Sequence, residues 1–182
     1  SRLLYCAEIN GRRNLYLMEL ATGDAVQLTE GDALDDYGAM ISADDKSVYY
    51  QQDRKVWKLD LATLQRTCLY AAPDGWDCGN WGMSDDNRYL VMTETRRDTL
   101  PDLTGKKGWE FFPLTCAAKP LCHIVYLDTQ TGEHHIVVED RCWFGHAQLR
   151  PGDPDTILFC HEGPYDMIDA RLWLIQSDGS RD

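Results

Sequence analysis

Lys58-Leu59-Asp60-Leu61-Ala62-Thr63 is the stretch that decides the fold, because the chain repeats it twice with small changes. The related stretches are Leu17-Met18-Glu19-Leu20-Ala21-Thr22-Gly23 and Tyr126-Leu127-Asp128-Thr129-Gln130-Thr131-Gly132. Each joins alternating apolar and polar residues to turn residues, a pattern typical of a strand that enters a hairpin. The three copies therefore predict an all-β chain built from a repeated unit.

A second landmark sets the length of that unit. Ser42-Ala43-Asp44-Asp45 recurs as Ser84-Asp85-Asp86-Asn87, and Arg150-Pro151-Gly152-Asp153 has the same role. The first two copies stand 42 residues apart, and the third follows 66 residues later, which becomes about 45 once an insertion near residues 98–118 is removed. Four short strands within about 40–45 residues are the signature of a β-propeller blade.

The repeat divides the chain into about three and a half blades. The predicted segments are part of blade one at 1–34, blade two at 35–75, blade three at 76–142 with the insertion at 98–118, and part of blade four at 143–182. A short helix is predicted around Trp109–Leu114. A closed ring needs at least four blades, and open strand edges invite pairing with another chain. The sequence thus favours a portion of a longer protein, with self-association through open blade edges as the alternative.

Charge and composition exclude some functions. The net charge of −12 argues against nucleic acid, whose phosphates need a basic face. An acidic substrate must then be met by local cations. No apolar run approaches the roughly 18 residues that cross a bilayer, so no membrane partner is expected. Seven cysteines, an odd number without a secretion signal, predict a reducing cytoplasm and free thiols rather than a disulfide framework or a zinc site.

Blade geometry selects one position in each repeat for inspection. The first strand of a blade lines the central channel, and the residues four before Ser42, Ser84 and Arg150 face its mouth. Those residues are Gly38, Asn80 and His146. His146 is a candidate substrate contact because imidazole titrates near neutral pH. The alternative is a histidine that only hydrogen-bonds a neighbouring blade.

The segment from His161 to Arg171 gathers charge in a long loop between two predicted strands. Glu162, Asp166 and Asp169 accompany a single cation, Arg171. One interpretation is an ion pair between Arg171 and a carboxylate that stiffens the loop. The other is a guanidinium fork that holds a carboxylate ligand, such as that of a uronic acid.

These residues also resemble a known family. The run from Phe144 to Gly179 is similar to oligogalacturonate lyases, through His161-Glu162-Gly163-Pro164, Asp166 and Asp169-Ala170-Arg171-Leu172-Trp173-Leu174-Ile175. Looser similarity extends to the N-terminus. The resemblance implies an intracellular pectin-degradation enzyme built as a seven-bladed propeller, with Arg171 at the catalytic centre. Tyr165 departs from the family pattern, in which this position is often histidine.

The resemblance also implies a mechanism, metal-assisted β-elimination on short oligogalacturonates. The base and the Mn²⁺ ligands of the family lie beyond the end of this chain, so no metal ligand is assigned here and the chain alone is expected to be inactive. Arg171 is the predicted catalytic residue, and His146, His161, Asp166 and Asn80 are the predicted substrate contacts. The alternative function is a non-catalytic propeller module like the TolB-type domains, because fold does not fix function.

Overall fold

Antiparallel strands that pair in chain order make up most of the molecule. A computed structural model describes residues 1–31 and 34–180; the side chains of residues 34–37 are not described. The chain divides into two compact units, residues 1–71 and 72–182. Among the described residues, none of the helices has the length and apolar character that a membrane span requires.

The first unit holds two sheets. The first sheet contains β1 (Arg2–Ile9), β2 (Arg12–Glu19) and β3 (Ala25–Gln27). The second contains β4 (Leu34–Ile41), β5 (Ser47–Gln52), β6 (Lys55–Asp60) and β7 (Arg66–Ala71). Alternation along the strands sends one side of each into a shared apolar cluster. Its buried members are Leu15, Val48, Tyr50 and Leu59.

The second unit holds two more sheets and the insertion. One sheet contains β8 (Trp76–Met83), β9 (Tyr89–Arg96), β10 (Leu121–Asp128) and β11 (His134–Arg141). The other contains β12 (Phe144–Arg150), β13 (Asp153–His161) and β14 (Leu172–Gln176). Their facing sides enclose a core that includes Ile124, Phe144, Ile157 and Phe159. The described residues therefore form an all-β fold of two four-stranded and two three-stranded sheets, which confirms the predicted fold class; the exact blade boundaries stay predictions.

The repeated sequence folds into repeated hydrogen bonds. The Asp60 carboxylate accepts the backbone N–H groups of Ala62 at 3.0 Å and Thr63 at 2.8 Å. Asp128 accepts from the corresponding two residues of its own turn at 2.8 and 3.1 Å. These bonds to the charged form lower the pKa of Asp60, with the Thr63 bond the largest cause. The local pattern thus closes the same turn in two different sheets.

The serine landmark is a second recurring turn. The Ser42 hydroxyl donates to Asp44 at 2.7 Å, and the Ser84 hydroxyl donates to Asp86 at the same distance. Asp45 in the first turn and Asn87 in the second have positive φ two residues before the next strand begins, and Asp and Asn tolerate this left-handed backbone better than most residues. The landmark is therefore a tight connection between the first two strands of a four-stranded sheet.

The insertion contains more helix than the sequence predicts. A 3-10 turn at Gly108–Glu110 leads into α1 (Phe111–Ala118), so the helix starts later and runs further than the predicted Trp109–Leu114. Lys119 ends it in the left-handed region at φ 47°. The helix stops there because Pro120 follows, and proline disfavours helical backbone in the residue before it.

Candidate functional site

The three positions selected from the repeat all lie where the first strand of a sheet bulges. In β12 the pairing register shifts between Gly145 and Gln148, which puts His146 inside the bulge. β4 and β8 shift register at the positions of Gly38 and Asn80. His146 has φ 51°, and its side chain is 61% exposed. Bulges re-aim side chains and are frequent beside active sites, and this one turns an imidazole toward solvent.

A buried carboxylate joins the two most prominent candidates. Glu162 is only 7% exposed and follows directly after β13. Arg171 Nη1 donates to Glu162 Oε2 at 2.8 Å, while His146 Nε2 lies 3.3 Å from Glu162 Oε1. Arg171 Nη2 also donates to the Gly163 carbonyl oxygen at 2.9 Å. The structure therefore brings His146 and Arg171 to opposite oxygens of one carboxylate.

The backbone around Glu162 is shaped to hold it there. The Glu162 N–H donates to the Trp143 carbonyl oxygen at 2.7 Å, which ties the loop to the start of β12. At Gly145, a Cβ atom would lie 2.6 Å from Glu162 Oε1 and 2.7 Å from its Cγ. Only glycine lets β12 approach this carboxylate so closely. Gly145 therefore allows the Glu162 carboxylate to be buried directly against β12.

Arg171 keeps donors beyond those that Glu162 and Gly163 use. A guanidinium has five N–H groups. Nη1 and Nη2 of Arg171 each carry a second N–H that is not used in the bonds to Glu162 and Gly163. Within residues 1–31 and 34–180, the buried Nε of Arg171 and Oε1 of Glu162 have no hydrogen-bond partner. The Arg171 side chain is 27% exposed. A cation oriented on one side and accessible on the other is suited to hold a second anion.

His161 is placed differently from the other predicted contacts. Its ring stacks between Phe144, with centroids 5.5 Å apart, and Trp173, with centroids 4.6 Å apart. Its backbone N–H donates to the Arg171 carbonyl oxygen at 2.8 Å. Through these contacts His161 packs the sheet and fixes the backbone at Arg171. A direct contact with substrate stays a prediction for this residue.

Asp166 and Asn80 also lie apart from the Glu162 contacts just described. Asp166 is exposed in the turn after Pro164. Asn80 is half-buried in β8, and its backbone carbonyl oxygen accepts from the Thr93 hydroxyl at 3.4 Å. The roles predicted for both side chains stay predictions.

A cleft opens beside the buried carboxylate. It has a volume of about 320 Å³, and Glu162 and His161 form part of its wall. Lys119 and Arg141 add two cations to the wall, and Trp143 adds an aromatic ring. Because the wall also carries the carboxylates of Glu162 and Asp169, the two cations leave the cleft less negative than the chain of net charge −12 as a whole.

The aromatic surroundings of Arg171 are the part of the site that sequence reasoning missed. The guanidinium carbon lies 5.9 Å from the centre of the Phe112 ring and 5.2 Å from that of Tyr165. Phe112 comes from α1 of the insertion, about 60 residues before Arg171 in the chain. The run Trp109-Glu110-Phe111-Phe112 was the available signal, since loops rarely carry so many aromatic residues without a packing or binding reason.

The titratable side chains of the described residues do not form a metal centre. In residues 1–31 and 34–180, no group of three or more His, Cys, Asp or Glu side chains is arranged to hold a metal ion.

All seven cysteines are free thiols. Burial, the largest cause, and the nearby Asp140 carboxylate raise the pKa of Cys142 to about 11, so this thiol is protonated near neutral pH.

The four sheets and the Glu162 cluster define a β-propeller portion with an oriented arginine on its fourth sheet. The comparisons then identify the family. The sequence model of the family described as "Oligogalacturonate lyase" matches residues 1–182, and the chain belongs to this family. A curated relative, oligogalacturonate lyase of Dickeya dadantii (strain 3937), is 38% identical over 182 residues. That alignment covers 99% of this chain and 46% of the relative.

Solved structures agree with that assignment. The structure described as "Oligogalacturonate lyase in complex with manganese" is 39% identical with a TM-score of 0.92, and the match covers 100% of this chain and 48% of that one. TolB from Acinetobacter baumannii matches at 15% identity with a TM-score of 0.61, covering 97% of this chain and 38% of that one, which supports the propeller fold alone. The chain thus spans about half the length of the lyases it matches.

Proposed function

We propose that the protein carrying this chain is a lyase that cleaves digalacturonate and short oligogalacturonates by β-elimination. In that reaction a base removes the C5 proton, the C4–O bond breaks, and a C4=C5 double bond forms. The proton is acidic only if the adjacent carboxylate is neutralised. The observation that carries the proposal is the Arg171–Glu162 pair, because it presents an oriented guanidinium in a chain that belongs to a lyase family.

Arg171 is proposed to meet charge on the substrate. Glu162 and the Gly163 carbonyl oxygen fix the guanidinium plane at 2.8 and 2.9 Å, so little reorganisation is needed when a ligand arrives. Fixed donors stabilise developing charge better than solvent does, because their orientation costs nothing during the reaction. The remaining Nη donors can hold the uronate carboxylate or the departing O4.

His146 and Glu162 are proposed to act beside Arg171 as contact and positioning residues. The exposed imidazole of His146 lies 3.3 Å from Glu162 Oε1, beside the Arg171–Glu162 pair, although no hydrogen bond joins the two. We assign His146 to substrate contact and Glu162 to positioning Arg171. His161, Asp166 and Asn80 remain proposed contacts on the family resemblance alone.

Manganese belongs to the proposal through a relative. The solved relative with manganese shows that a member of this family binds the ion. The side chains of residues 1–31 and 34–180 do not fit that role, since no three-ligand group exists among them. The cytoplasmic location is proposed in line with the seven free thiols.

The direct test is formation of the unsaturated product from digalacturonate, followed by its ultraviolet absorbance. We expect turnover from the whole protein with manganese present, and none from the purified 182-residue chain, whose described residues lack a metal site. Loss of a general base typically lowers rates by about 10²–10⁴-fold. Turnover by the 182-residue chain itself would mean that the base and the metal site are assigned wrongly. Absence of turnover from the whole protein would end the lyase proposal.

A further inference from the structure

The connection between β9 and β10 is much longer than its counterpart in the first unit. The repeated turns make β6 and β10 equivalent, and only Asp53 and Arg54 join β5 to β6. Residues 97–120 join β9 to β10, and they contain α1. Two residues are enough to close a hairpin, and long connections in compact domains usually serve a function. The sheet therefore does not need α1 in order to form.

One face of α1 reaches the loop that carries Arg171. Phe112 and Cys116 are four residues apart, so their side chains lie on the same side of the helix. The guanidinium carbon of Arg171 lies 5.9 Å from the centre of the Phe112 ring. One turn further on, the Cys116 sulfur packs so closely on Gly163 that a Cβ atom at Gly163 would overlap with it. The helix thus contacts Arg171 and also Gly163, whose carbonyl oxygen accepts from Arg171 Nη2 at 2.9 Å.

The Phe112 ring is itself held by the fourth sheet. It packs on Trp143, with ring centroids 5.4 Å apart and an angle of 66° between the rings. Trp143 immediately precedes β12, and its backbone carbonyl oxygen accepts the N–H of Glu162 at 2.7 Å. The same tryptophan therefore supports Phe112 and the residue that pairs with Arg171. A fixed neighbour of this kind restricts a long side chain that otherwise samples many rotamers.

The two aromatic rings beside the guanidinium differ in how firmly they are held. Tyr165 lies 5.2 Å from the guanidinium carbon, but it is 84% exposed, whereas Phe112 is half-buried against Trp143. A cation is attracted to the face of an aromatic ring, and the attraction grows as solvent is excluded. The Arg171 side chain is 27% exposed, so most of it is shielded from water. Phe112 therefore supplies the firmer of the two supports.

We propose that Phe112 is a positioning residue for Arg171, and that α1 serves to hold this ring against the guanidinium. The ring restricts the arginine side chain, while the hydrogen bonds to Glu162 and Gly163 fix its donors. A guanidinium that is oriented before the substrate arrives stabilises developing charge without reorganisation. This inference rests on the proposed lyase function. It adds a residue, distant in sequence from Arg171, through which the insertion controls the rate.

The test measures kcat and KM for digalacturonate in the whole protein with manganese present. Phe112→Leu keeps an apolar side chain but removes the ring, so it should lower kcat about tenfold while changing KM by less than about threefold. Phe112→Tyr keeps the ring and should retain kcat within about twofold. Leu114→Ala removes a 37% exposed side chain from the same helix, and this matched control should leave kcat unchanged.

A double-mutant cycle separates positioning from a general effect on the structure. If Phe112 acts through Arg171, Phe112→Leu in the Arg171→Ala background should change kcat by less than about twofold, because the cation that it orients is absent. An equal loss of kcat in both backgrounds, or the same loss in Phe112→Tyr, would overturn the proposal. If Phe112→Leu does not fold, Phe112→Met takes its place in the cycle, because methionine fills irregular space without supplying a ring.

Failure of the lyase function gives a different result from failure of this inference. Without that function, the wild-type protein forms no unsaturated product from digalacturonate, and the positioning role falls with it. Wild-type turnover that Phe112→Leu leaves unchanged contradicts the role of Phe112 alone and leaves the lyase function standing.

Discussion

Replacing Arg171 separates the two interpretations of its ion pair, provided that Glu162 is replaced in parallel. Both Arg171→Ala and Glu162→Ala remove the same 2.8 Å charge-assisted hydrogen bond. A hydrogen bond to a charged group is worth about 1.5–3 kcal/mol, and removing one member of a buried pair also strands the other. Since the Arg171 side chain is 27% exposed, solvent offsets part of that cost. We therefore expect each variant to lose about 2–3 kcal/mol of unfolding free energy.

Activity should divide the variants where stability does not. If Arg171 meets charge in the transition state, Arg171→Ala loses about 10²–10³-fold in kcat, the range found when one preorganised donor is removed. Glu162→Ala keeps the guanidinium but frees its orientation, so its loss should be at least about tenfold smaller. Arg171→Lys should rescue only part of the rate, because one ammonium does not reproduce a planar fork.

The assays are urea unfolding for stability and product absorbance from digalacturonate for kcat, on the same preparations of the whole protein. The kinetics are measured where each variant is still folded. Equal kcat losses for Arg171→Ala and Glu162→Ala, within about threefold, would refute the catalytic role. They would leave Arg171 as the partner that stiffens the loop.

Three further predictions concern stability and reactivity. Leu64 has φ 58° at a turn position where two other repeats carry glycine. Leu64→Gly should therefore raise the free energy of unfolding, measured with urea, by about 0.5–1 kcal/mol. Leu64→Ala keeps the strained backbone and should leave this free energy unchanged. Gly145→Ala pushes a Cβ into Glu162 and should cost about 1–3 kcal/mol while also lowering kcat; unchanged values would show that the carboxylate moves freely. Burial raises the pKa of Cys142 to about 11, so this thiol should react with a thiol reagent at a pH of about 8 more slowly than the exposed Cys68. Labelling of the two residues is followed by mass spectrometry, and equal rates would contradict the burial of Cys142.

The sequence by itself determined the fold through local signals. Turns such as Asp60-Leu61-Ala62-Thr63 close on hydrogen bonds between residues two or three apart, so their recurrence reveals the repeat without any knowledge of the neighbours. The alternation between those turns then predicts the strands. The loop after β13 was also visible as a charged segment holding one arginine. Its ion pair with a carboxylate was one of the two interpretations that the residues allowed.

Tertiary structure alone decided which carboxylate and which surroundings Arg171 has. Glu162, Asp166 and Asp169 are equivalent in a sequence pattern, and only the close approach of β12 at Gly145 places the first of them beside the guanidinium. The helix that brings Phe112 to Arg171 lies far away in the chain, and its position depends on packing against the fourth sheet. Contacts between distant segments depend on the shapes of both partners. Local hydrogen bonds and side-chain alternation therefore specify the strands and turns, whereas the site emerges only when the sheets and the insertion pack together.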